Sequence, residues 1–210
     1  MPKIIPYRGV TPKIHPTAFI APGAVIIGDV EIGPESSVWF GCVIRGDVNR
    51  VRIGARTNIQ DGTVIHVASG EQPARLGRGR IDANASSSDH VNPTGNAQVA
   101  HSKIPKDGYP TLIGDDVTVG HMALLHACIV ESRGFVGMKS IVMDGAKIES
   151  NGMLATGALL TPGKVVGSGE LWAGSPAKFW RRLTDDDIAQ FDLRSGQYVR
   201  LGQDYLKERS

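Results

Sequence analysis

The sequence predicts a mainly β chain: a parallel β-solenoid of about six three-sided coils built from hexapeptide units, followed by a C-terminal α-helix. Three observations lead there. The 210 residues include 19 Val and 18 Ile against 12 Leu, and Gly and Pro together supply 38, about 18% against the roughly 12% of average usage. β-Branched side chains favour extended backbone and Gly and Pro favour tight turns, so this balance points to short strands and away from a helical bundle. The second observation is that aliphatic residues recur every six positions. The third is that beyond Pro176 this period gives way to a helical one.

The six-residue register begins at Ile14 and continues through Ile20, Ile26, Ile32, Val38 and Ile44. It slips by three, then resumes at Ile53, Ile59 and Ile65. After a gap it returns at Ile113, Val119 and Leu125. After a second slip it runs Val136, Val142, Ile148, Leu154, Leu160, Val166 and Trp172, nineteen units in all. A period of six fits neither the two-residue alternation of an ordinary strand nor the 3.6 of a helix. It fits units that each make one short strand and one corner, three to a coil. The first residue of each unit then points inward and stacks on its counterpart one coil away, about 4.8 Å along the axis. Small residues such as Ala24, Ser36 and Cys42 fit near the corners, where Gly relieves backbone strain. A narrow interior of this kind also explains why aromatic residues are only 6% of the chain.

Two segments depart from the repeat. Residues 68–111 are rich in Gly, Ser, Asn and Pro and read as one long excursion between coils, either a variable surface loop or a flap near a site. From Pro176 onward, PAKFWRRL reads as a short helical turn. Thr184 then looks like an N-cap, with Asp185, Asp186 and Asp187 in the first turn where the helix dipole favours acids. Ile188, Phe191, Tyr198, Leu201, Tyr205 and Leu206 follow at helical spacing. The expected organisation is a solenoid over 1–175, interrupted by 68–111, and a helical segment over 176–210 packed on it.

Bulk properties exclude several functions. The 23 basic and 21 acidic residues nearly cancel, and no Lys/Arg run makes a nucleic-acid footprint. The N-terminal MPKIIPYRG has no apolar signal-peptide core, and no stretch reaches the ~18 apolar residues of a membrane span. Cys42 and Cys128 form neither a CxxC pair nor a disulfide framework. A cytoplasmic protein with reduced thiols, without nucleic-acid or membrane partners, is the expectation.

Of the six histidines, His15 lies in the first unit, precedes a proline and reads as exposed, and His90 and His101 lie in the excursion; the other three fall deeper in the repeat, where their phase can be worked out. His66 and His126 are each the second residue of a unit, and His121 is the third residue of its unit. If 68–111 leaves and rejoins at one corner, the units at 53, 59 and 65 form one coil and those at 113, 119 and 125 the next. His66 and His126 then stack on one face about 5 Å apart, suited to sharing an ion. His121 lies on the preceding face and would reach the same ion only from a neighbouring subunit of a threefold assembly. A single histidine is more often a plain surface residue; three in phase, with an open fourth position, make the ligand set of catalytic zinc. Polar groups gather nearby as Arg45-Gly46-Asp47 and Asn58-Ile59-Gln60-Asp61. Arg45 and Asp61 could be a solvent-facing pair or one that sets register at a subunit interface. Gln60, both donor and acceptor, could orient a metal hydroxide without adding charge.

The hexapeptide units, Arg45-Gly46-Asp47, Asn58-Ile59-Gln60-Asp61-Gly62, His66, Gly120-His121 and His126 resemble the gamma-class carbonic anhydrase family, as does GSPAKFWRRL followed by a helix. The resemblance covers roughly residues 10–206 apart from the excursion. It implies a left-handed β-helix, a homotrimer, and one Zn2+ (or Fe2+ or Co2+) per subunit interface, held by His66 and His126 of one subunit and His121 of the next. It further implies an intersubunit Arg45–Asp61 ion pair, Gln60 hydrogen-bonded to the metal-bound hydroxide, Asn58 and Asp47 behind the ligands, and reversible hydration of carbon dioxide to bicarbonate. The glutamate proton shuttle of the family has no clear counterpart here; Glu71, Asp82, Asp89, His90 and His101 are the groups in the excursion that could replace it. The hexapeptide repeat alone is shared with many acyltransferases. An acyl-CoA-dependent transferase with a lone histidine base, and a metal-binding trimeric scaffold with little catalysis, are the competing expectations.

Overall fold

The computed structural model describes residues 1–70 and 107–208. The β-branched repeat forms three stacks of short parallel strands, one on each side of a prism. One stack joins Ile26, Ile44, Ile65, Leu125, Val142 and Leu160. A second joins Ile14, Ile32, Ile53, Ile113, Ile148 and Val166, and a third Ile20, Val38, Ile59, Val119, Val136, Leu154 and Trp172. The inward residues are buried almost without exception; covering each Ile or Leu contributes about 1.5–3 kcal/mol before conformational entropy is set against it.

The stack runs to about seven turns, one more than the periodicity counts. Part of the difference is Val130, which sits between Ile113 and Ile148 in the second stack and closes a unit of only five residues after Leu125. The rest comes from Lys3–Ile5, which pairs with Val25–Ile27 and starts the solenoid earlier than Ile14. The first register slip is a bulge. Val25–Ile32 pairs with Val43–Ile53, Gly28 opposite Gly46 and Val30 opposite Val51, so residues 47–50 stand out against the single Asp29. Because both strands run through a corner, two faces merge into one twelve-stranded sheet, and the third face is a sheet of eight.

Several corners use the left-handed backbone region without glycine, among them Arg56, Asp116, Arg133 and Asn151. Such residues bear a steric penalty, and their side chains bond to one another along the stack. Arg56 donates to both oxygens of Asp116 (2.8 and 2.7 Å), and Arg133 donates to Asn151 (2.8 Å).

Residues 177–182 correct the expected helical turn. Ala177–Arg182 is a strand antiparallel to Glu170–Gly174. The last coil would otherwise present an unpaired edge, and the returning strand satisfies its backbone groups. The helix Asp185–Lys207 begins where expected, with a reciprocal capping box: the Asp187 amide donates to the Thr184 hydroxyl (3.2 Å) and the Thr184 amide to the Asp187 carboxylate (2.8 Å). Tyr198, Tyr205 and Leu206 of the helix cover Phe19, Ala21 and Trp39 on the outside of the third face. Gly202 permits that approach, since a Cβ there would already lie 3.3 Å from the Phe19 Cβ. Phe179 and Trp180, on the hairpin, remain exposed. Among the described residues no helix is long and apolar enough to cross a membrane.

Candidate metal centre

The strands Val64–His66 and Leu124–His126 are hydrogen-bonded neighbours, with His126 directly opposite His66 although 60 positions separate them. Their ring centroids are 5.1 Å apart, matching the stacking derived from phase. The chain leaves and rejoins the prism at one place: Ala68 and Tyr109 form an antiparallel bridge (3.0 and 3.2 Å), and the Asn49 amide donates to the carbonyls of Ala68 (3.3 Å) and Asp107 (2.8 Å). Glu71, Asp82, Asp89, His90 and His101 lie outside the described residues.

Two carboxylates determine what the stacked imidazoles present. Asp47, carried outward by the bulge, accepts the Nε2–H of His66 (2.9 Å), and Asp144 accepts the Nδ1–H of His126 (2.6 Å). A neutral imidazole has one N–H and one lone pair, so with each N–H committed to a carboxylate, the nitrogens facing each other both offer lone pairs. These are His66 Nδ1 and His126 Nε2, 3.1 Å apart. Two lone pairs at that distance repel unless a cation or a proton lies between them. Two nitrogens bound tetrahedrally to one ion at about 2.0–2.1 Å stand about 3.3 Å apart, so the pair fits a shared metal. Burial pushes the pKa of His66 down, outweighing the opposing pull of Asp47, and favours the neutral ring a metal needs. Burial acts to raise the carboxyl of Asp47, but hydrogen bonds from His66 and Arg45 prevail and hold it below the usual carboxylate range.

The remaining expected residues form separate groups within one chain. Arg45 pairs with Asp47 and so joins the histidine network from its own subunit. Asp61 pairs with His121 Nδ1 (2.8 Å) and accepts the Phe40 amide (3.2 Å). Gln60 donates to Asn58 (3.0 Å) and Asn58 to Thr118 (2.9 Å), both buried on the third face. His121 sits in the turn after Thr118–Val119, across a corner from the stacked pair. Among the described residues of one chain, no three His, Cys, Asp or Glu side chains gather to hold an ion. Beside the histidines, Val64, Leu124 and Ile141 form an outward apolar ladder, 39%, 40% and 37% exposed, and Met122, next to His121, is 61% exposed. Asp144 was absent from the residues singled out by sequence; its only signal is a carboxylate one coil, 18 residues, beyond His126.

Known proteins share this architecture. A family model described as bacterial transferase hexapeptide (six repeats) matches residues 11–46. Gamma carbonic anhydrase 2, mitochondrial, of Arabidopsis thaliana is 40% identical over 200 residues, covering 95% of this chain, which spans 60% of the longer plant protein. A carbonic anhydrase of Geobacillus kaustophilus is 37% identical over 202 residues, covering 96% of this chain and 90% of its own length. The crystal structure of a hexapeptide transferase family protein from Anaplasma phagocytophilum superposes with a TM-score of 0.76 at 42% identity, covering 97% of this chain and 98% of that one.

Proposed function

As the chain belongs to the gamma carbonic anhydrase family, we propose that it catalyses the reversible hydration of carbon dioxide, using a divalent ion, zinc first among candidates, held between subunits of a homotrimer. The ligands in this reading are His66 and His126 of one subunit and His121 of its neighbour. The observation that carries it is the 3.1 Å approach of His66 Nδ1 to His126 Nε2 with a carboxylate behind each ring, a geometry that turns two lone pairs toward one shared point and suits a cation there. An ion held there would supply the Lewis acidity that brings the pKa of a water toward 7.

The chain's own residues account for the rest. Asp47 and Asp144 keep the two rings oriented, and Arg45 balances the charge of Asp47. Asp61 holds the His121 ring through Nδ1, leaving Nε2 for the ion. Gln60, linked to Asn58, offers an uncharged donor and acceptor to align a substrate oxygen. The outward ladder of Val64, Leu124 and Ile141 supports a subunit contact on the face that bears His66 and His126.

Metal analysis combined with stopped-flow carbon dioxide hydration tests the proposal. Metal-replete protein should hydrate carbon dioxide well above the uncatalysed rate, and His121→Ala should lose both metal and activity. Full metal occupancy in His121→Ala would overturn the ligand set. The transferase description of the matched repeats motivates one competing assay: acetyl-CoA consumption that survives chelation would replace this reading with an acyl transfer. Bound metal without hydration would leave a scaffold.

A further inference from the structure

We propose that Asp144 is a positioning residue for the metal site: by accepting the Nδ1–H of His126 it fixes the ring in the tautomer whose Nε2 lone pair faces His66. The inference rests on the metal-binding reading above and adds to it the residue that prepares one ligand. Three observations support it. The Asp144 carboxylate lies 2.6 Å from His126 Nδ1. Its turn is pinned from both sides, the Gly145 amide donating to the carbonyl of Ala127 (2.8 Å) and the Gly163 amide to the carbonyl of Asp144 (3.0 Å), so the carboxylate is carried by fixed backbone and not by a mobile surface loop. And Val142, two residues earlier, pairs with Leu125, which sets the turn beside His126.

The plainer alternative is an ordinary surface ion pair, worth little. The two differ in what they control. An ion pair requires a protonated His126 and is indifferent to tautomer. The positioning role requires a neutral ring, and selects Nδ1–H over the Nε2–H form that histidine prefers in water. Asp47 makes the matching contact on His66, so both rings are set by carboxylates placed at opposite ends of the pair. A carboxylate behind a histidine ligand orients the ring and raises its basicity, and its loss typically weakens metal affinity 10–100-fold.

The test uses the full-length assembled protein and two readouts. In metal-free protein, nitrogen–proton correlation spectra of the histidine side chains should show Nδ1–H for His126 in the wild type and a shift toward Nε2–H in Asp144→Ala. Zinc affinity, measured by chelator competition, should fall about 10–100-fold in Asp144→Ala and recover largely in Asp144→Glu. Should Asp144→Ala fail to fold, the near-isosteric Asp144→Asn takes its place, with a smaller loss in the same direction. An unchanged tautomer together with affinity within about threefold of wild type overturns the inference, because the range expected for a supporting carboxylate starts near tenfold. Zinc bound equally by wild type and variant overturns this inference alone, whereas a wild type that binds no zinc overturns the functional reading and this one with it.

Discussion

A cysteine in this prism is governed by the side to which it points. Cys42 is buried near a corner, its thiol donating to the Gln60 carbonyl at 3.1 Å, and burial raises its pKa to about 11. Cys128, two residues past His126, is also fully buried, and burial drives its pKa up as well. Thiolate is the reactive form, so neither residue should react with a thiol reagent at pH 8 in the native protein, and both should react once it is denatured. Rapid native labelling of Cys128, followed by mass spectrometry, would show that the coils around His126 open readily. The histidines were legible in the sequence for the same directional reason. Once the period is six, a unit's place in its coil gives the face and the position within the unit gives the direction, and His66 and His126 share both. The partners of those rings were less legible. Asp47 was noted, but its contact with His66 depends on the bulge at residues 47–50, which the register slip announces without giving its shape.

Among the elements, the five-residue unit before Val130 conceals Asp144 from a strict six-residue count. Counting from Leu125 straight to Val136 assigns Val142 to the wrong face; with Val130 included, Val142 falls on Leu125 and the Asp144 turn comes beside His126. One unit of five residues in place of six thus conceals the contact of Asp144 with His126. The returning strand Ala177–Arg182 was missed for a different reason, because its sequence carries no helix-breaking residue and the need to cover an open edge belongs to the tertiary structure. The helix that follows was legible from Thr184 and the three acids after it. Removing its cap by Thr184→Ala should cost about 1 kcal/mol, seen as a fall in Tm of about 2–4 °C; an unchanged melt would show that the cap contributes nothing. Arg181 and the Thr184 amide hold the Asp187 carboxyl well below its ordinary value of 3.8. A carboxyl depressed in the folded state stabilises at pH above the unfolded value and loses that contribution as pH falls through the folded one. Helical signal in far-UV circular dichroism should therefore weaken as acid is added below about pH 4, and Asp187→Asn should flatten that dependence.

At the scale of the whole molecule, one chain stacks His66 on His126 and keeps His121 across a corner, so the proposed three-histidine site calls for a second subunit. The exposed ladder of Val64, Leu124 and Ile141 is the surface expected to receive it. If the chain assembles as proposed, Leu124→Asp should convert the wild-type trimer to monomers by light scattering coupled to size exclusion, with metal content falling in step. Leu193→Asp, at a comparably exposed position on the C-terminal helix, should leave the assembly intact. A Leu124→Asp protein that remains trimeric would move the interface to another face.

The junction between the coil of His66 and the coil of His126 also bears on how the prism comes together. Most successive coils meet across about one coil of chain, as His126 and Asp144 do at 18 residues, but the coils of His66 and His126 meet across 60. Closing the longer path costs about 1 kcal/mol more by loop entropy alone. That makes the line between Val64–His66 and Leu124–His126 the seam of the solenoid, the place where its two halves meet. An ion gripped from both sides of it would act as a rivet, turning part of its binding free energy into cohesion between the two halves of the molecule.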